Sequence, residues 1–156
     1  MFNAKEVFEQ VREAALASTG PDERALQIDY AALEGQIVTA LGDRKVAHLH
    51  INQYLPEGYE DQGHFNLLVC TQGQVLFDMV IGDQYFRYDI FSARDLDKIQ
   101  VIDGVWDNKE KRQEEPFLSF RLMHGDEAHI LLALNDDQRK SLRTMIGAIS
   151  RDRHPE

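Results

Sequence analysis

HFNLLVC-TQGQ-VLFDMVI-GDQ-YFRYDIF, residues 64–91, is three apolar runs of strand length separated by two short polar breaks. Phe, Val, Ile, Leu and Tyr dominate the runs, and these side chains suit a pleated, half-buried surface. Gly73 and Gly82 stand in the breaks, one each, as hairpin turns favour. The stretch therefore reads as a three-stranded antiparallel meander. Two of its strands are apolar on both faces. Phe65, Leu67 and Val69 share one face while Leu68 and Cys70 share the other; Val75, Phe77, Met79 and Ile81 oppose Leu76 and Val80. An antiparallel sheet with one wet face alternates more cleanly. Leu68, Cys70, Leu76 and Val80 are accordingly expected to be covered. The candidate covers are the N-terminal helix, Asn3 to Ala17, or a second copy of the chain. These four are the candidate partner-binding residues.

Before the meander, Asn3 to Ala17 reads as a helix. Asn3 is a good N-cap, Glu6 completes a capping-box pattern, and Val7, Val11 and Ala14 make a stripe with Phe8 and Ala15 beside it. A second helix spans Tyr30 to Leu41, with Leu33, Ile37 and Leu41 at spacings of four and Gly42 at the C′ position. From Val46 to Leu55 the period becomes that of a strand, followed by the polar loop Pro56 to Gly63. After the meander, Asp97 to Ile102 reads as a strand ended by an Asp103-Gly104 turn. Asp107 to Glu115 reads as a charged loop. Phe117 to Met123 and Ala128 to Leu134 alternate again. In the final helix Asn135 is the cap, Gln138 sits at the capping-box position, and Leu142, Met145, Ile146 and Ile149 form the apolar stripe. Arg151 to Glu156 is expected to fray.

Seven strands followed by one amphipathic helix is an order of elements that resembles the pleckstrin-homology-like fold. The resemblance covers about Val46 to Arg151. It implies an α+β chain: a partly open, seven-stranded antiparallel barrel of two sheets, a C-terminal helix at one end, and here an N-terminal helical extension. The domains would be 1–43 for the extension, 44–152 for the barrel and helix, and 153–156 for a frayed tail. Lipid-binding members of that family carry lysines and arginines around the first hairpin loop. Here Pro56 to Gly63 holds Glu57, Glu60 and Asp61 and no base. The family's C-terminal helix often carries a tryptophan, whereas this chain has Trp106 alone, outside that helix. The shape is implied; lipid binding is not.

Composition narrows the partners. With 27 acidic against 17 basic side chains the formal charge is −10, which repels nucleic-acid phosphate and anionic membranes. The single cysteine, Cys70, excludes an intrachain disulfide, and no signal peptide or membrane-spanning run is read, so cytoplasm is the expected compartment.

Motifs for catalysis are missing: no HExxH, no GxSxG, no phosphate loop and no Cys/His zinc pattern. His48 and His50 share one strand face and are the metal-site candidates, with His64 or Asp78 as a third ligand; otherwise they are two histidines on a wet face. Cys70 reads as a small buried side chain. Asp78 and Asp89 read as solvent-facing. Arg139, Lys140 and Arg143 read as the solvated side of the last helix. The function expected from these residues is a non-catalytic acidic binding protein of adaptor, immunity or chaperone type. It would meet a protein partner, a basic one suiting its charge, and would use no cofactor, nucleic acid or membrane; a homodimer is compatible. The competing expectation is a small-molecule binder or enzyme whose β-barrel pocket uses His48, His50 and His64.

Overall fold

A computed structural model describes residues 1–17, 28–52, 65–82, 85–109 and 111–153. The protein is α+β, and among the described residues it has three helices and two antiparallel sheets, of four and three strands, rather than a closed barrel. Its contacts divide it into Met1–Phe91 and Ser92–Glu156. The two helices before the first strand thus group with the first sheet.

The first unit begins with helix α1, Ala4–Ala17. Its capping box is formed in both directions: the Glu6 N–H donates to Asn3 Oδ1 at 2.9 Å and the Asn3 N–H donates to Glu6 Oε1 at 3.2 Å. Helix α2, Tyr30–Leu41, is capped by Asp29, whose carboxylate accepts from the Ala32 N–H, and ends at Gly42 with φ 58°. The sheet order is β1-β2-β3-β4, with β1 at Val46–Ile51, β2 at Phe65–Thr71, β3 at Val75–Gly82 and β4 at Tyr85–Ser92. The meander is therefore present as read. Leu67 pairs with Met79 and Val69 with Phe77, which fixes the register and puts Leu67, Val69, Phe77 and Met79 on one face.

That face is where the helices pack. Val7, Phe8, Val11 and Ala15 of α1 and Leu33, Ile37 and Leu41 of α2 form one core with Leu67, Val69, Phe77, Met79 and Ile81. The expectation that α1 covers Leu68, Cys70, Leu76 and Val80 is corrected: those residues lie on the opposite face. The reason is chemical. The opposite face also carries His48, His50, Asn66 and Asp78. An aliphatic helix stripe laid there would leave their polar atoms without hydrogen-bond partners, at a cost of ~1–3 kcal/mol each. The other face is predominantly apolar, and its buried Thr71 hydroxyl donates to the Val75 carbonyl at 2.8 Å. Ala14, expected in the α1 stripe, is half-buried, and Ala4 and Ala15 are buried in its place.

The second unit is the meander β5 (Lys98–Asn108), β6 (Gln113–His124) and β7 (Glu127–Ala133), followed by helix α3 (Asp136–Arg153). A 3-10 turn at Ala93–Asp95 precedes it, and α3 packs against that turn, β6 and β7. Asn135 caps α3 by accepting from the Gln138 N–H at 2.8 Å. The buried stripe of α3 is Leu142, Met145 and Ile149; Ile146 is half-buried at its margin.

Asp103-Gly104 is not a turn, and most of the charged segment after it is not loop. β5 runs through both residues and pairs with β6 as far as Asn108 opposite Gln113. Gly104 serves close packing instead. It lies opposite Phe117, and a Cβ built on it would sit 2.9 Å from Phe117 Cε1. Gly104→Ala is therefore expected to displace that ring and cost about 1–3 kcal/mol, measured by urea unfolding. Gly125, with φ 59°, is the conventional case, in the turn between β6 and β7.

Candidate functional site

Strand alternation in β1 turns His48 and His50 to one face of the first sheet, opposite Cys70 and Leu68 respectively. Leu68 in turn pairs with Asp78 on β3, and Asn66 pairs with Val80. The result is a face of mixed character, with polar side chains set among Leu68, Cys70 and Leu76.

This face is not wet. His50 is 3% exposed, Asn52 2% and Asp78 7%. His48, Asn66 and Asp89 are half-buried. The solvent-facing reading of His48, His50, Asp78 and Asp89 is corrected on that account. Alternation shows which side chains share a face, but it cannot show whether that face meets water.

The polar groups form a directional chain. Asn52 Nδ2 donates to Asn66 Oδ1 at 2.6 Å, and Asn66 Nδ2 donates to Asp78 Oδ1 at 3.4 Å. The carboxylates of Asp78 and Asp89 come within 4.8 Å of each other. Asn66 is thus the joint: its carbonyl oxygen and its amide each serve one neighbour. Asn66→Ala is expected to cost about 1–3 kcal/mol, because two buried groups each lose a partner; thermal or urea unfolding checks it. Asn52 and Asn66 were not singled out in the sequence. The available signal was an amide at an interior position of the apolar run FNLLVC.

Among the described residues, His48 and His50 belong to no group of three possible metal ligands. His64 lies outside the described residues. Cys70 is a buried thiol that forms no disulfide, 2% exposed, with Sγ 4.0 Å from the Thr71 carbonyl oxygen. Leu68 and Leu76 are fully buried and Val80 is half-buried.

A cavity of about 330 Å³ opens between the start of α2 and the ends of β3 and β4. Leu33 and Ile81 line it with apolar surface, and Asp29, Gln36 and Tyr85 supply its polar groups. It lies on the helix side of the sheet, so His48 and His50 do not line it. Asp29 Oδ1 is already engaged in capping α2, at 3.2 Å from the Ala32 N–H.

In the second unit the basic group of α3 is used internally. Arg139 donates to the Pro116 carbonyl at 3.1 Å and the Leu134 carbonyl at 3.0 Å, and pairs with Asp136. Arg143 pairs with Asp103 at 3.1 Å. These arginines tie α3 to β5 and β6, where the sequence suggested only a solvated face; Arg143 and Lys140 are exposed, as that reading expected, and Arg139 is half-buried.

The β5–β6 hairpin end has its own polar knot. Glu115 accepts from Gln113 at 3.1 Å and from Asn108 at 3.2 Å, with Lys111 at 3.4 Å. The Gln113 hydrogen bond, then the Asn108 hydrogen bond, with help from Lys111, hold the Glu115 carboxyl below its ordinary value. A lowered carboxyl pKa stabilises the fold above the unfolded-state value and loses that contribution as pH falls through the folded-state value. Glu115→Gln is therefore expected to flatten the acid side of the stability profile, read from urea midpoints between pH 3 and pH 6.

No family model matches the chain, and searches of curated proteins and of solved structures find no match either. The likeness to the pleckstrin-homology-like fold thus rests on the order of elements alone.

Proposed function

We propose that this chain is a non-catalytic binding module that docks a basic protein partner. The charge carries the reading: 27 acidic side chains against 17 basic ones, net −10. A field of that sign speeds encounter with a positive surface and opposes nucleic acid and anionic lipid. An adaptor, or an immunity- or chaperone-type protein that neutralises its partner's charge, falls within this reading. Among the described residues no helix is long and apolar enough to cross a membrane. The lone buried cysteine suits a reducing compartment such as the cytoplasm.

The test uses the intact chain immobilised at 0.15 M salt and exposed to lysate of its native host. Captured proteins are identified by mass spectrometry, and the leading one is purified and titrated by calorimetry at several salt concentrations. The expected result is one dominant basic protein that binds saturably and weakens as salt rises. Unsaturable capture of many basic proteins would reduce the charge to simple ion exchange and overturn the proposal.

A further inference from the structure

The two edges of the first sheet are treated differently. β1 is extended by a bridge from Phe2, whose N–H and carbonyl both bond Val46, at 2.9 Å and 2.8 Å. β4 is the other edge, eight residues long, with neither lysine nor proline to discourage pairing. It carries three of the large apolar side chains that the fold leaves exposed: Tyr85 at 44%, Tyr88 at 38% and Ile90 at 54%.

The sequence of this edge complements itself. YFRYDIF, residues 85–91, has Tyr88 at its centre. Laid antiparallel against a second copy about Tyr88, Arg87 stands opposite Asp89 and Asp89 opposite Arg87. Both lie on the same face, because they are two residues apart. On the other face Phe86 meets Ile90, Tyr88 meets its own counterpart, and Ile90 meets Phe86. A two-fold interface requires this relation, in which residue i contacts j and j contacts i.

Further observations favour a second copy. Neither Arg87 nor Asp89 has an ion-pair partner among the described residues. Tyr88 is held in place beforehand, its ring 5.6 Å from Phe86 and 6.2 Å from Phe77, which lowers the entropy cost of docking.

We propose that the chain self-associates through β4, pairing antiparallel with β4 of a second copy about Tyr88 and joining the two four-stranded sheets into one. This surface is separate from the charge-driven docking proposed above.

The experiment measures mass by light scattering, with sedimentation, on the full chain across a concentration series at 0.15 M salt. At that ionic strength repulsion between the two acidic chains is screened beyond about 8 Å. The expected mass climbs from 17.9 kDa toward twice that value. Arg87→Asp and Asp89→Arg are each expected to weaken association roughly tenfold or more, since each replaces two attractive contacts by two repulsive ones. Circular dichroism verifies that both variants fold. An equimolar mixture of the two variants should associate again, because each supplies the charges that the other lacks. The double variant Arg87→Asp/Asp89→Arg should also recover. A wild-type chain that stays monomeric throughout would overturn the proposal. So would a dimer indifferent to both reversals, or single losses that neither the mixture nor the double variant restores.

Discussion

Removal of residues 1–17 is expected to unfold the first unit. α1 contributes Val7, Phe8 and Val11 to its core, at 0%, 3% and 0% exposure. Burial of each large apolar side chain is worth about 1.5–3 kcal/mol, so three of them supply about 5–9 kcal/mol. That is comparable with the whole stability of an ordinary domain, about 5–15 kcal/mol. The deletion also uncovers the partners of these side chains, Leu33, Ile37, Leu67 and Val69 among them, and a newly bared apolar surface invites association. The truncated chain should lose its cooperative urea transition and scatter light as aggregates. Arg12→Ala is the control. It removes an exposed pair with Glu9, at 2.7 Å on the outer side of the same helix, and should shift stability by no more than about 1 kcal/mol. A truncated chain that melts like the intact one would show α1 to be dispensable, contrary to the packing described.

This dependence on α1 was half legible in the sequence. The helix, its capping box and its stripe follow from Asn3, Glu6, Val7 and Val11. The face it covers does not, because strand periodicity labels two faces without ranking them. The ranking comes from what else shares each face. His48, His50, Asn66 and Asp78 all fall on the side that the aliphatic stripe avoids, and three strands must be put in register before that set can be seen. The same limit explains the misread solvent exposure of His50 and Asp78. Those side chains are buried through tertiary packing, of which one strand's alternation holds no record.

Gly104 illustrates a different limit. Asp-Gly is a strong turn signal because glycine reaches positive φ cheaply. In β5 the residue is used for its missing Cβ, beneath the Phe117 ring. Two uses of glycine give the same letter, and only the opposing residue tells them apart. Gly42 and Gly73, by contrast, have φ of 58° and 107° and do what the sequence led one to expect.

Helix α3 carries the second large expected effect. Leu142→Ala and Ile149→Ala should each cost about 2–5 kcal/mol, the range for truncating fully buried aliphatic side chains, since both are 0% exposed. The four-residue stripe in the sequence suggested that Ile146 belongs with them. Its half-buried position means that water already reaches part of the side chain, and the space left by truncation opens to solvent instead of remaining a void. Ile146→Ala should therefore cost less than either, about 1–2 kcal/mol. Trp106 is the chain's only tryptophan and lies on β5 of the same unit, so its fluorescence follows the unfolding of the unit to which α3 belongs. Urea midpoints read at that residue should fall furthest for Leu142→Ala and Ile149→Ala. The reverse order, with Ile146→Ala the most damaging, would mean that α3 is rotated about its axis relative to the packing described, because residues 142, 145 and 149 define one side of the helix and 146 marks its margin.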